Sequence, residues 1–235
     1  MLIATFTFGQ EIQKVEEVEV TAPLFTGVEN AIKVQNESAN ALIRQYLKDN
    51  IIYPEKAKLS KKEGTEVVQF TVTEEGNVAD FKIINSICPE IDYEIIRALK
   101  NTSGMWFPGY NNGKPVEMTK EVSLVFCLDN ISSKSTHEIF SEKAIDYFNI
   151  GNINLFEKQN PKKAIKYYTW GINYLPYDNS LLLMRGMCRY ELGEKEGARE
   201  DWNRMTVSDE IDMSKEMTQM EEMKGYNEMM AILNK

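Results

Sequence analysis

The sequence predicts an α+β domain of two layers, with helices on one face of a three-stranded antiparallel sheet, followed by an all-α domain of helical repeats. Three observations lead there. Between residues 66 and 128 three runs alternate apolar and polar residues with period two. Amphipathic runs at helical spacing interleave with them, and beyond Ser135 every apolar pattern is helical. At 235 residues the chain can fill two small domains, each with its own core.

In order, Leu2 to Gln10 is apolar and gives way abruptly to Glu11-Ile12-Gln13-Lys14. Residues 1–10 read as the end of a signal peptide that lacks its positive start, or else as an alternating edge strand. Residues 11–37 form a polar segment. Within the domain spanning 38–130, Leu42, Ile43, Tyr46 and Leu47 recur at helical spacing, and the helix ends near Asn50 because Pro54 disfavours helical geometry at Tyr53. Val68, Phe70 and Val72 share one face of a strand, with Gln69, Thr71 and Thr73 on the other. Glu74-Glu75-Gly76-Asn77 supplies a turn, and Val78 to Ile87 is the return strand. Pro89, Glu90 and Asp92 suit a first helical turn, and Ile91, Ile95 and Leu99 give that helix its buried stripe. A turn-rich loop through Pro108-Gly109 and Asn111-Asn112-Gly113 leads to a third strand alternating Val122, Leu124, Phe126 and Leu128. The order is helix, strand, strand, helix, strand, with at least one sheet edge open.

Residues 136–235 form the helical part. Ser135 with Glu138 makes a capping box for a helix running to about Glu157, and Asn160-Pro161 starts the next. Two units align, pairing Gly151 with Gly186, Ala164 with Ala198, and Tyr168 with Trp202. Small residues permit close helix approach and the aromatics fill the next gap, so these units resemble tetratricopeptide repeats. The first is one residue longer in its hairpin than the usual pattern. Two such repeats need a cap, which the tail supplies with Met213, Met217, Met220 and Met223 at helical spacing.

Tyr53-Pro54, Ala57, Gly64, Val68, Phe70, Val72, Gly76, Val78, Trp106, Pro108-Gly109, Asn112-Gly113-Lys114-Pro115-Val116, Leu124 and Phe126 resemble, in order and spacing, the carboxy-terminal domain of the TonB energy-transducer family. The resemblance covers about 80 residues, from Leu42 to Leu128. It implies a protein or peptide partner, such as an outer-membrane transporter, whose extended segment adds as a strand beside the final strand and near the Tyr53-Pro54 motif. Edge addition draws affinity from backbone hydrogen bonds. Met118, Lys120, Val122 and Leu124 fall on one side of that strand, and with Tyr53 and Pro54 they are the candidate partner-binding residues. The inner-membrane helix and proline-rich spacer of the family's transducers are not found in this sequence, so force transmission does not follow. A periplasmic or otherwise exported adaptor is the expectation. The alternative is a scaffold in which the repeats carry the protein–protein binding.

Composition narrows the chemistry. A net charge of −9 is spread over both halves, with 13 Lys and Arg against 19 Asp and Glu in residues 1–132 and 14 against 17 in the remainder, so nucleic acid is not an expected partner. No run approaches the ~18 apolar residues of a membrane-spanning helix. His137 has no cysteine nearby in sequence, and the pairs Glu74-Glu75, Glu200-Asp201 and Glu221-Glu222 fall on a turn and on solvated helix faces; no nucleophile with a positioned base assembles from these parts, and no enzyme and no cofactor are expected. Met217, Met220 and Met223 read as an apolar stripe, with Cu(I) ligation as the competing possibility. Cys88, Cys127 and Cys188 lack metal-ligand spacing and read as small buried residues, with a Cys88–Cys127 disulfide as the alternative in an exported protein.

Overall fold

A computed structural model describes residues 19–27, 39–128, 134–205 and 220–234. The expected leader remnant, residues 1–10, lies outside them, as do Met213 and Met217.

The first unit contains the expected helices and strands. Helix α1 (Ala39–Asn50) turns Ile43 and Leu47 inward. A short helix, α2 (Glu55–Leu59), follows Pro54. Strands β3 (Gly64–Val72) and β4 (Val78–Asn85) are antiparallel, and α3 (Pro89–Lys100) begins with its proline in the first turn. The last strand, β8 (Met118–Phe126), pairs with β3 along its whole length, from Gly64 opposite Phe126 to Val72 opposite Met118. The sheet order is therefore β4-β3-β8. Val68, Phe70, Val72, Val122, Leu124 and Phe126 form one face and meet Ile43, Leu47, Ile91, Ile95 and Leu99 in a single apolar core. Gly76 holds the β3–β4 turn at φ 80°, where an added Cβ would lie 2.1 Å from the Trp106 carbonyl oxygen.

Two regions differ from the sequence expectation. Within the polar segment 11–37, β1 (Val20–Thr21) and β2 (Leu24–Phe25) pair with β6 (Gly109–Asn111) and β5 (Trp106–Phe107). Phe25 is buried against Trp106 and Tyr46, with ring centroids 5.0 and 5.4 Å away. The expected turn-rich loop is a hairpin of β6 and β7 (Lys114–Val116), closed by Asn112 and Gly113 at φ 49° and 76°. That pair of positive φ values is the mirror-image turn that suits a two-residue hairpin loop. Strands of two or three residues are too short for a period-two pattern to reveal.

The second unit is helical throughout. Helix α4 (Thr136–Asn152) carries the capping box, with Ser135 Oγ accepting from the Glu138 amide and the Glu138 carboxylate accepting from the Ser135 amide. It continues as a π turn over Ile153–Glu157. A π turn inserts one residue, and that is how the first hairpin absorbs its extra length. Helices α5 (Pro161–Tyr174), α6 (Asn179–Glu191) and α7 (Lys195–Asn203) follow, and α8 (Tyr226–Leu233) packs on α7. Met220 and Met229 are buried in this unit's core. An added Cβ on Gly151 would lie 2.4 Å from the Tyr168 ring, and one on Gly186 would lie 2.2 Å from Trp202 Nε1. Ala164 and Ala198 are buried beside them.

The helical unit adds a third layer to the two of the first unit. The second face of the sheet carries Thr65, Val67 and Gln69 on β3, and α5 lies against this side. Thr65 Oγ donates to the Tyr174 carbonyl (2.9 Å), Asn85 donates to the Ile172 carbonyl (3.3 Å), and Lys143 Nζ meets Glu63 at 2.7 Å. Val67 is fully buried yet belongs to neither apolar cluster, as a residue at a seam should. The sequence missed this because the face that meets the helices is only half apolar, and alternation then reads as solvent exposure.

Glu66, on the α3 side of β3, is buried outright; its Oε2 accepts from the Ile87 amide and its Oε1 has no partner. Burial, and secondarily the Asp92 charge, push its carboxyl up to about 9 from an ordinary 4.5. The folded state thus holds a proton that the unfolded chain surrenders, so this contribution to stability is whole below about pH 4.5 and is lost as pH rises towards 9. At pH 7 the loss is on the order of 3 kcal/mol. Glu66→Gln keeps the acceptor for Ile87 and can donate to Asp92; it should stabilise the protein by ~1–3 kcal/mol at pH 8 and flatten the pH dependence. Urea denaturation at pH 5 and pH 8 measures both, and an unchanged pH dependence in the variant would reject this role for Glu66.

Candidate strand-binding edge

The candidate site is the outer edge of β8. All nine residues of the strand are paired to β3 on one side, and among the described residues no strand pairs with the other. A run of this length offers about half of its amides and carbonyls outward, as a template for an extended chain. Helix α1 lies alongside, and Ile43 and Arg44 face Glu121 to Ser123 across a cleft of about 120 Å³.

The expectation that Met118, Lys120, Val122 and Leu124 share a side is met in the geometry, but that side is the inner one. Val122 and Leu124 are buried in the core. Met118 packs its sulfur over Gly109, where a Cβ would lie 2.5 Å from Sδ. Lys120 is half-buried, and burial pushes its amine below the ordinary lysine value. These side chains hold the strand in place, and what β8 presents at its edge is main chain. The opposite face carries Thr119, Glu121, Ser123 and Val125, and Glu121 accepts a hydrogen bond from Tyr177 of the helical unit.

Tyr53 and Pro54 lie at the far end of the same strand. The Tyr53 ring meets Phe126 edge-on at 5.3 Å, and its hydroxyl donates to the Lys62 carbonyl. Burial, then the Glu63 charge, push the phenol up to about 12. Glu63 ties the strand end to the second unit, accepting from the Leu128 amide at 2.8 Å and from Lys143. Burial raises the Glu63 carboxyl, but those two donors outweigh it and leave the group below its ordinary value. Tyr53 and Pro54 thus fasten the end of β8, half-buried rather than free.

His137 is exposed at the start of α4, and among the described residues no three His, Cys, Asp or Glu side chains group as metal ligands. Cys88, Cys127 and Cys188 are thiols, with Cys88 and Cys188 buried. Among the described residues no helix is long and apolar enough to cross a membrane.

The family model described as Gram-negative bacterial TonB protein C-terminal matches residues 49–128. Two solution NMR structures of the TonB-CTD of Helicobacter pylori align with the chain at 22% and 20% identity, each with a TM-score of 0.32. They cover 41% and 42% of this chain and 99% of their own. No curated protein matches it.

Proposed function

Taking residues 49–128 as a TonB C-terminal-type domain, we propose that this protein is a non-enzymatic envelope protein of the TonB type that binds an extended segment of a protein partner by strand addition along β8. An outer-membrane transporter segment is the partner that the family similarity suggests, and the periplasm is the compartment in which the two would meet. The observation that carries the reading is the nine-residue edge of β8, paired on one side and backed by buried Val122, Leu124 and Phe126. A strand so anchored loses little conformational freedom when a partner pairs with it, so most of the new hydrogen-bond energy appears as affinity. The helical unit, read as tetratricopeptide-like repeats, buttresses the back of the sheet and offers a second surface.

Strand addition depends on the partner's main chain. An extended peptide that binds the whole protein should lose at least about tenfold in affinity when alternate amides are N-methylated, and little when its side chains are exchanged for others of similar β propensity. Fluorescence anisotropy with the two peptide series reads this directly, and equal binding of the methylated and unmethylated peptides would reject the mode. A scaffold reading, with binding on the helices, draws on the cluster of Tyr147, Tyr167 and exposed Trp170, whose rings lie 5.5 and 5.2 Å apart from the tryptophan. It predicts the reverse pattern, sensitivity to side chains and indifference to N-methylation.

A further inference from the structure

A cleft of about 500 Å³ separates the second face of the sheet, where Lys82 of β4, Gln69 of β3 and Glu121 of β8 line it, from α5, α6 and α7. Its volume is in the range of a ligand site. One wall is unusual for an acidic protein. Arg185, Arg189 and Arg204 line it, and the only buried carboxylate among them is Asp201. Arg185 donates from Nε and Nη2 to both Asp201 oxygens, at 3.0 and 2.6 Å, and Arg189 adds a third bond at 2.7 Å. Asp201 is thereby spent on two cations. Glu121 is engaged by Tyr177, and Glu200 is a largely exposed group 3.9 Å from Lys82. Arg204 donates Nη2 to the Pro176 carbonyl at 2.7 Å, but its Nε is enclosed and has no acceptor. An arginine does not discharge to escape such a position. Burial, followed by the Arg185 charge, pushes the Arg204 guanidinium below its ordinary value. A buried donor on a charged group that goes unmet costs more than an ordinary missing hydrogen bond.

The facing wall includes the main chain of an edge strand, β4, beside Gln69 of β3 and Glu121 of β8. Lys82, Ile83, Ile84, Asn85 and Ser86 line the cleft consecutively, although successive side chains of a strand point to opposite faces, so the backbone itself borders the space. We propose that this cleft binds the terminal carboxylate of an extended peptide, with Arg204 and its neighbouring guanidinia taking the carboxylate and β4 guiding the chain that leads to it. A carboxylate matches a guanidinium fork with two parallel hydrogen bonds, and Arg204 lines the cleft. A small inorganic anion would use the arginine end alone and leave the β4 wall idle. The Asn85 bond to Ile172 pins the end of β4 to α5, which keeps the two walls in register.

Titration of the whole protein with the acetylated pentapeptide TVTVS, its carboxy-terminal amide and inorganic phosphate tests this, with affinities read by isothermal titration calorimetry. The free acid should bind at least about tenfold more tightly than the amide and than phosphate. Arg204→Met should erase the acid-over-amide preference, and Arg204→Lys, which keeps the charge and the fold but loses the fork, should reduce it at least about threefold. Lys166→Met, on another surface beside Trp170, should leave it unchanged. Equal binding of acid and amide, no binding of either, phosphate binding as tightly as the acid, or a preference that survives both Arg204 variants would each overturn the proposal. Strand addition at β8 is indifferent to a terminal carboxylate, so any of those outcomes leaves that reading standing.

Discussion

Asp201→Ala destabilises the protein by about 3–5 kcal/mol in urea denaturation followed by circular dichroism, because it leaves two guanidinia facing each other in a buried site. Asp201 is 1% exposed and Arg185 7%, so water can replace little of what Arg185 loses, while Arg189 is partly exposed. The three charge-assisted bonds also join α6 to α7, as Arg185 and Arg189 sit on the first and Asp201 on the second. Removing the carboxylate therefore loosens the helix pair as well as stranding charge. Asp201→Asn retains an oxygen acceptor of the same shape and should recover part of the loss. An Asp201→Ala variant within about 1 kcal/mol of the wild type would mean that the network is not what locks these helices.

The second large effect belongs to Trp202→Ala, expected to cost about 3–5 kcal/mol. The indole is buried, lies stacked on Tyr190 at 5.9 Å, and fills the space above Gly186. Its size and the absence of a side chain at Gly186 are one feature. Gly186→Ala alone should destabilise by about 1–3 kcal/mol, since the new methyl would overlap the indole, whereas in the Trp202→Ala background the same methyl enters a cavity and its cost should vanish or change sign. Additive losses in the double variant would refute the small-against-large packing. Gly151 beneath Tyr168 is the equivalent contact in the preceding hairpin, so the same cycle there should show coupling of the same sign.

The parts of this molecule that can be read from its sequence are those whose periodicity is long and whose burial is one-sided. The α3 stripe of Ile91, Ile95 and Leu99 and the Ser135–Glu138 capping box appear in the structure where the pattern put them, because each depends on neighbours within a few residues. The alternation of Val122, Leu124 and Phe126 was equally legible, yet its meaning was not: period two assigns residues to a face without saying which face meets the core. Hence Val122 and Leu124, candidate contacts by alternation, are packed in the core. Phe25 lay in a polar stretch, so nothing local marked it as a core residue that pairs with a strand about 80 positions away. The seam between the units is built from Thr65, Asn85, Lys143 and backbone carbonyls, groups that read as solvated until their partners are known.

The central claim is that β8 binds a partner through its outer main-chain edge. NMR-detected amide exchange of the whole protein, with and without an extended peptide that binds it, tests this most directly. Alternate amides between Met118 and Phe126 should slow on binding, while those already bonded to β3 stay as they were. Unchanged exchange throughout β8, with protection appearing on the helices instead, would contradict it.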